Sequence, residues 1–90
     1  MPEISRFYGI IIRMYVEAGE RHKMAHFHAH YQQQSAVYAI EPSILRIAGA
    51  IPMKEERLVL AWAELHRGEL VGDWLALLGG KLHHKISPLQ

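Results

Sequence analysis

Residues 25–31 have the sequence Ala25-His26-Phe27-His28-Ala29-His30-Tyr31, in which histidine occupies every second position. Neighbouring side chains of a β-strand point to opposite faces, so a strand here would line one face with imidazoles. Phe27, Ala29 and Tyr31 would line the other face, where a core could cover them. The run therefore predicts a strand with one apolar face and one histidine-bearing face.

The composition of the whole chain is that of a globular protein. It has 90 residues, of which 50% are hydrophobic and 21% charged, with a formal net charge of +1. This length predicts a single domain over residues 1–90. The chain contains no cysteine, which excludes disulfides and thiolate sites and fits a cytoplasmic location. We expect neither a signal peptide nor a membrane segment, because no apolar run approaches the roughly 20 residues that a membrane helix needs.

The first half of the chain alternates between apolar and other residues at a period of two. The alternation around Ile10 and Ile12 predicts a strand over about residues 7–17, with Gly9 as a bulge near its start. Further strands are predicted over about residues 25–32 and 35–41, and a possible fourth over residues 44–48.

The second half of the chain changes to helical spacing. Pro52 suits the first turn of a helix and Gly68 suits its end, which predicts a helix over about residues 53–67. A second helix is predicted over about residues 69–78, followed by a basic tail over residues 81–90.

The two tryptophans, Trp62 and Trp74, fall on the apolar stripes of these helices and are predicted to be core residues. The chain as a whole predicts an α+β fold. In it, an antiparallel sheet of three or four strands is followed by two helices packed on one of its faces.

Three interpretations of the histidine row stay open. The row could be a polar, solvent-exposed strand face, a divalent-metal site, or a metal-free site for proton transfer or phosphate contact. Alternate strand residues are roughly 6.5–7 Å apart at Cα, so His26 and His28 could share one ion such as zinc with a third ligand. His66, at the border of the apolar stripe of the first helix, is the best third ligand, and His22 is another candidate.

Four stretches of the chain carry a family resemblance: Met1–Ile10, His26-Phe27-His28 with Tyr31, Leu58–His66, and Glu69-Leu70 with Trp74. Together they resemble the bacterial family named domain of unknown function 4160, over nearly the whole chain. The family pattern begins with a histidine, matched here by His22, and continues with two prolines where this chain has Met24-Ala25. His30 is additional to the pattern, which favours His26 and His28 as the meaningful pair.

The resemblance implies a small cytoplasmic accessory protein, encoded beside another small protein in an arrangement that looks like a toxin–antitoxin pair. A protein partner and RNA as a target follow from that likeness. The leading hypothesis is therefore a site of His26, His28 and His66 that acts on RNA or a nucleotide. One imidazole would remove the ribose 2′-hydroxyl proton and another would protonate the leaving oxygen.

The remaining members of the hypothetical site would bind substrate. Arg13 or Lys23 would offset the phosphate charge, and Tyr31 would present its hydroxyl beside the histidines. The alternative is a non-catalytic module that docks a partner on its open sheet face or edge. A homo-oligomer is also consistent with the sequence, because Leu60 projects opposite the apolar stripe of its helix.

Overall fold

The histidine run is a strand, as its alternation predicts. The computed structural model describes residues 2–16 and 24–90 of the chain. Strand β3 covers His26–Tyr31. Phe27 and Ala29 are fully buried on one face of it, whereas His28 and His30 on the other face are half-buried.

Five strands form one antiparallel sheet in which each strand pairs with its neighbours in the chain. They are β1 Glu3–Phe7, β2 Ile10–Arg13, β3 His26–Tyr31, β4 Gln34–Ala39 and β5 Leu45–Ala50. The fold is therefore α+β with an antiparallel sheet, but the sheet has more strands than the three or four predicted.

The predicted strand over residues 7–17 is wrong, because the chain reverses direction at Tyr8-Gly9. Both residues have positive φ, 49° for Tyr8 and 79° for Gly9, as a two-residue type I′ hairpin turn requires. Phe7 and Ile10 are the first partners across the hairpin. Gly9 is thus a turn residue and not a bulge. A tyrosine rarely adopts positive φ, which hides this turn in the sequence.

The last strand, β5, occupies Leu45–Ala50 and overlaps the predicted strand over residues 44–48. It pairs with β4, and the register shifts between Val37 and Tyr38. All six residues of β5 are exposed. The sheet therefore ends in a strand that the described helices and tail leave largely open to solvent.

Two helices follow the sheet, α1 over Met53–Leu65 and α2 over Arg67–Leu78. Trp62 is fully buried, with its ring centroid 5.3 Å from that of Phe7 and 6.0 Å from that of Phe27. Trp74 is only 6% exposed. The prediction that both tryptophans belong to the core is confirmed. Helix α1 packs through Trp62 on the side of the sheet that carries Phe27.

The basic tail packs against the edge of the sheet. The backbone N–H of Ile86 donates to the carbonyl of Ile4 in β1 at 2.8 Å, and Trp62 Nε1 donates to the carbonyl of Ser87 at 2.8 Å. Ile86 is 4% exposed and belongs to the core. Leu60, the residue that suggested an oligomer contact, is partly buried against the same core.

A search of the described helices for a membrane span finds no helix that is both long and apolar enough.

Candidate functional site

The side of the sheet opposite the buried Phe27 carries a continuous set of polar and basic residues. Residues directly opposite each other in an antiparallel sheet share a face, and the register places Arg13 opposite His28 and Ile11 opposite His30. On the other flank of β3, Val37 lies opposite His28. We call this surface the histidine face. Its members are Glu3, Arg6, Ile11, Arg13, His26, His28, His30, Ser35 and Val37 of the strands, with Tyr15 stacked on His28.

Three rings of the histidine face are stacked in parallel. The ring centroids of Tyr15 and His28 lie 4.6 Å apart with an angle of 16° between the ring planes. Those of His28 and His30 lie 6.3 Å apart with an angle of 9°. Tyr15 follows the end of β2, and its stacking places a phenol beside the two imidazoles. The stack holds both histidine rings in a defined orientation.

His26, the first histidine of the row, has a different environment. Its Nδ1 lies 2.9 Å from the carbonyl oxygen of Met24, and a carbonyl only accepts, so Nδ1 carries the proton. Its ring lies 4.9 Å from that of Trp74 and is 8% exposed. Helix α2 therefore reaches the end of the histidine face and covers His26. The ring of His26 packs with its centroid 5.4 Å from that of His28. It is therefore placed to orient His28 and not to contact a ligand.

Arg13 and His30 present polar atoms that are buried without a partner. Among residues 2–16 and 24–90, Nε of Arg13 and Nε2 of His30 are buried and make no hydrogen bond. Burial, and secondly the positive charge of Arg13, hold the pKa of His30 below its ordinary value of 6.5. His30 is therefore a neutral imidazole at pH 7, beside a fixed positive charge.

Glu3, the carboxylate that lies opposite Arg13 in the described part of the sheet, is already engaged. Glu3 is the register partner of Arg13, but its Oε1 accepts from Nη2 of Arg6 at 2.8 Å. The hydrogen bond from Arg6 lowers the pKa of Glu3. The charge of Arg13 is only a minor cause of that lowered pKa, so Arg6 and not Arg13 is the main partner of Glu3.

His66 is not brought together with His26 and His28. Its Nδ1 lies 2.6 Å from Oε1 of Glu69, and its ring packs 5.6 Å from that of Trp62. No three histidine, aspartate or glutamate side chains in the described part of the chain form a group that could hold a metal ion. The predicted site of His26, His28 and His66 is thus not assembled, because α1 holds its C-terminal end beside Trp62 on the core side of the sheet.

Of the other residues predicted to bind substrate, only some lie near the histidines. Arg13 lies on the histidine face, as described. Tyr31 is the register partner of Ile10, so it belongs to the core side of β3 and points away from the histidines. His22 and Lys23 lie outside the described residues.

Sequence reasoning gave too little weight to two residues of the site. His30 was treated as additional to a family pattern, although it continues the alternation of His26 and His28. Tyr15 is not among the predicted site residues, although it lies two positions after Arg13 and therefore on the same face of an extended chain. In both cases the period of two was the available signal.

Comparison with known families assigns the chain. A family model described as "Domain of unknown function (DUF4160)" matches residues 9–75. The chain belongs to the DUF4160 family. The comparisons with curated proteins and with solved structures each give no match.

The DUF4160 match includes the part of the histidine face that lies on β2, β3 and β4, and it ends at residue 75, just after Trp74. It leaves out β1 and the tail, which close the edge of the sheet. The family description carries no activity, so function has to be argued from the site.

Proposed function

We propose that this DUF4160 protein is a cytoplasmic protein of toxin–antitoxin type whose histidine face binds and cleaves the phosphodiester of RNA. The toxin–antitoxin setting rests on the family resemblance. The phosphodiester rests on the paired, unsatisfied nitrogens of Arg13 and His30. A neutral imidazole next to a guanidinium suits an anionic ligand that also has a proton to give.

The single observation that carries the proposal is that the sheet buries Nε of Arg13 and Nε2 of His30 without a hydrogen-bond partner in the described part of the chain, on residues close enough for the charge of Arg13 to lower the pKa of His30. A buried donor without a partner costs about 1–3 kcal/mol. A phosphate oxygen would accept from the guanidinium in a short charge-assisted hydrogen bond and remove that cost. Its negative charge would also offset the repulsion between Arg13 and a protonated imidazole.

The chemistry uses two imidazoles and no metal. His30, neutral at pH 7, takes the proton from the ribose 2′-hydroxyl, and the 2′-oxygen forms a bond to the adjacent phosphorus. The bond from phosphorus to the 5′-oxygen breaks, and His28 donates a proton to that leaving oxygen. The products are a 2′,3′-cyclic phosphate and a 5′-hydroxyl end. Arg13 binds a non-bridging oxygen, where negative charge grows during the reaction.

Binding is tested by fluorescence polarisation with a short single-stranded RNA at several salt concentrations. Arg13→Gln removes one phosphate contact, so it is expected to weaken binding and to reduce the salt dependence by about one charge. Arg57→Gln is the matched control, because Arg57 is exposed on α1 and contacts Met53. Equal weakening by both variants would show that binding depends on net charge alone.

Cleavage is tested with the same RNA and with an analogue that carries a single 2′-deoxyribose at the cleaved position. The wild-type protein is expected to cut the RNA, leave the analogue intact and arrest growth on induction. His30→Ala and His28→Ala are expected to lower the rate by about 10²-fold or more, while His84→Ala, 88% exposed at its side chain, serves as the control. Intact RNA after prolonged incubation with wild-type protein would remove the catalytic part of the proposal.

A second candidate function is binding, along β5, of a small partner protein of the kind that the family resemblance implies is encoded beside this one. Leu45 and Ile47 in this strand are 61% and 47% exposed, and no described strand pairs with its outer side. An extended segment of a partner can add to such an edge through main-chain hydrogen bonds. The opposite edge, at β1, is already occupied by the tail through Ile86.

Co-expression with the neighbouring protein tests this candidate. Ile47→Lys places a charge on the edge and is expected to reduce the amount of co-purified complex strongly. Leu75→Lys, at a leucine that is 60% exposed on α2, is the control. A complex that withstands Ile47→Lys and is lost only in Leu75→Lys would place the partner on the helices instead.

A further inference from the structure

A pocket between α2 and the tail lies apart from the histidine face. Its volume is about 460 Å³, within the range of pockets that hold small ligands or single side chains. Glu69, Gly72, Asp73 and Ala76 line it from α2, and His84, Lys85 and Ile86 line it from the tail.

Asp73 is the unusual residue of this pocket. Its side chain is only 3% exposed. One carboxylate oxygen, Oδ1, accepts the backbone N–H of His84 at 2.8 Å, which ties the tail to α2. The other oxygen, Oδ2, is buried and has no hydrogen-bond partner in the described part of the chain. A buried carboxylate oxygen without a hydrogen-bond donor destabilises the folded protein. A ligand that donates a hydrogen bond to this oxygen would remove that cost.

The cationic side chains near the pocket are not placed to serve Oδ2. Nζ of Lys85 is 4.0 Å from Oε2 of Glu3, which draws it toward β1. Nδ1 of His84 is 3.8 Å from Oδ1 of Asp73, and its side chain is largely in solvent. Glu69, which pairs with His66, adds a second negative charge at the pocket. Although Lys85 lines the pocket, Oδ2 of Asp73 has no donor among the described side chains, so a donor from a ligand would complete it.

The pocket surface beside Asp73 has room for the alkyl chain of a cationic ligand. A Cβ built at Gly72 would meet no atom within 4 Å, so the helix leaves open space there. Ile86, 4% exposed, and Ala76 supply apolar surface. A methylene chain could lie along this wall with its charged end against Asp73.

We propose that this pocket binds an alkylguanidinium or alkylammonium group through Asp73. The N–H donors of such a group would satisfy Oδ2, and its charge would neutralise the buried carboxylate. The same chemistry is offered by a small amine and by an arginine side chain of a peptide. The proposal uses residues separate from those of the phosphodiester site, so either one can fail alone.

The test is a titration of ¹⁵N-labelled full-length protein followed by amide chemical shifts. The probes are n-butylguanidinium, its neutral analogue n-butylurea, and a capped Gly-Arg-Gly peptide. We expect saturable shifts for butylguanidinium at residues 69–76 and 84–86, and none for butylurea. Tighter binding of the peptide would identify a peptide arginine as the source of the cation, and tighter binding of butylguanidinium would identify a small amine.

Two variants separate the pocket from general folding effects. Asp73→Asn keeps an acceptor for His84 but removes the charge, and should weaken binding by roughly tenfold or more. Gly72→Met keeps Asp73 and fills the open space, and should abolish binding while the remaining amide spectrum stays native. Unchanged affinity in both variants, equal shifts with butylurea, or no saturable shift with either cation would overturn the proposal.

Discussion

At the scale of single residues, His30 shows how two strands together create a property that neither has alone. The alternation of the histidine run predicts which face carries its ring. Its pKa is lowered first by burial and secondly by the charge of Arg13, and Arg13 comes close to it through the pairing of β2 with β3. The residue on the correct face could therefore be predicted from the sequence, whereas its electrostatic environment could not.

The lowered pKa of His30 has a consequence for stability. The folded protein resists protonation at this position, so below the unfolded value of about 6.5 the unfolded chain binds more protons. Stability is therefore expected to fall as the pH is lowered from 7 to 5. In His30→Gln this loss should be smaller, as measured by thermal unfolding at each pH. Leu82→Gln, at a residue that does not titrate and is 85% exposed, should keep the wild-type pH dependence. If the pH dependence became weaker to the same extent in both variants, this assignment would be contradicted.

At the scale of secondary-structure elements, the helices were easier to predict than the strands. Pro52 and the apolar spacing after it place α1 to within two residues at its C-terminal end. The first hairpin was missed because Ile10 and Ile12 continue the alternation after the turn at Tyr8-Gly9. Apolar residues predict the last strand of the sheet, but its close approach to β4 depends on Gly49, whose role the sequence does not reveal.

Gly49 allows β5 to pass close to β4. Its φ is +70°, and a Cβ added there would lie 2.3 Å from the carbonyl oxygen of Ser35. Gly49→Ala is therefore expected to lower the free energy of unfolding by about 2 kcal/mol or more, because a positive φ and a backbone clash act together. Urea unfolding measures this change.

Gly72→Ala is the matched control for Gly49→Ala, since nothing lies within 4 Å of an added Cβ. In the interior of α2 it should stabilise the protein by about 0.5–1 kcal/mol. If Gly49→Ala left the free energy of unfolding unchanged, β4 and β5 would be able to move apart at this point without loss of stability, which would contradict this prediction.

At the scale of the whole molecule, Trp62 joins the hairpin, the central strand and the tail. Its ring contacts Phe7 and Phe27, and its Nε1 donates a hydrogen bond to the carbonyl oxygen of Ser87. The C-terminal end of α1 lies beside Trp62, and His66 packs there with its ring 5.6 Å from that of Trp62, away from the histidine row. A sequence pattern can place His66 at the border of a helix stripe, but it does not determine which way that border faces in the folded chain.

Replacement of this central ring tests the role of Trp62 in the whole fold. Trp62→Phe loses one hydrogen bond and part of a buried ring, and should lower the free energy of unfolding by about 2–3 kcal/mol. Amide exchange should also become faster at Ile86, whose N–H bonds to Ile4. Leu82→Ala, at a residue 85% exposed, should change neither measurement.

The central claim is that the sheet surface around Arg13, His28 and His30 meets RNA. Its most direct test is a chemical-shift map of ¹⁵N-labelled protein during titration with a single-stranded RNA octamer. We predict that the largest changes fall at residues 11–15, 28–30 and 35–37, and that Arg13→Gln reduces them. Changes confined to α1 and α2, with these strand residues undisturbed at saturation, would contradict the account.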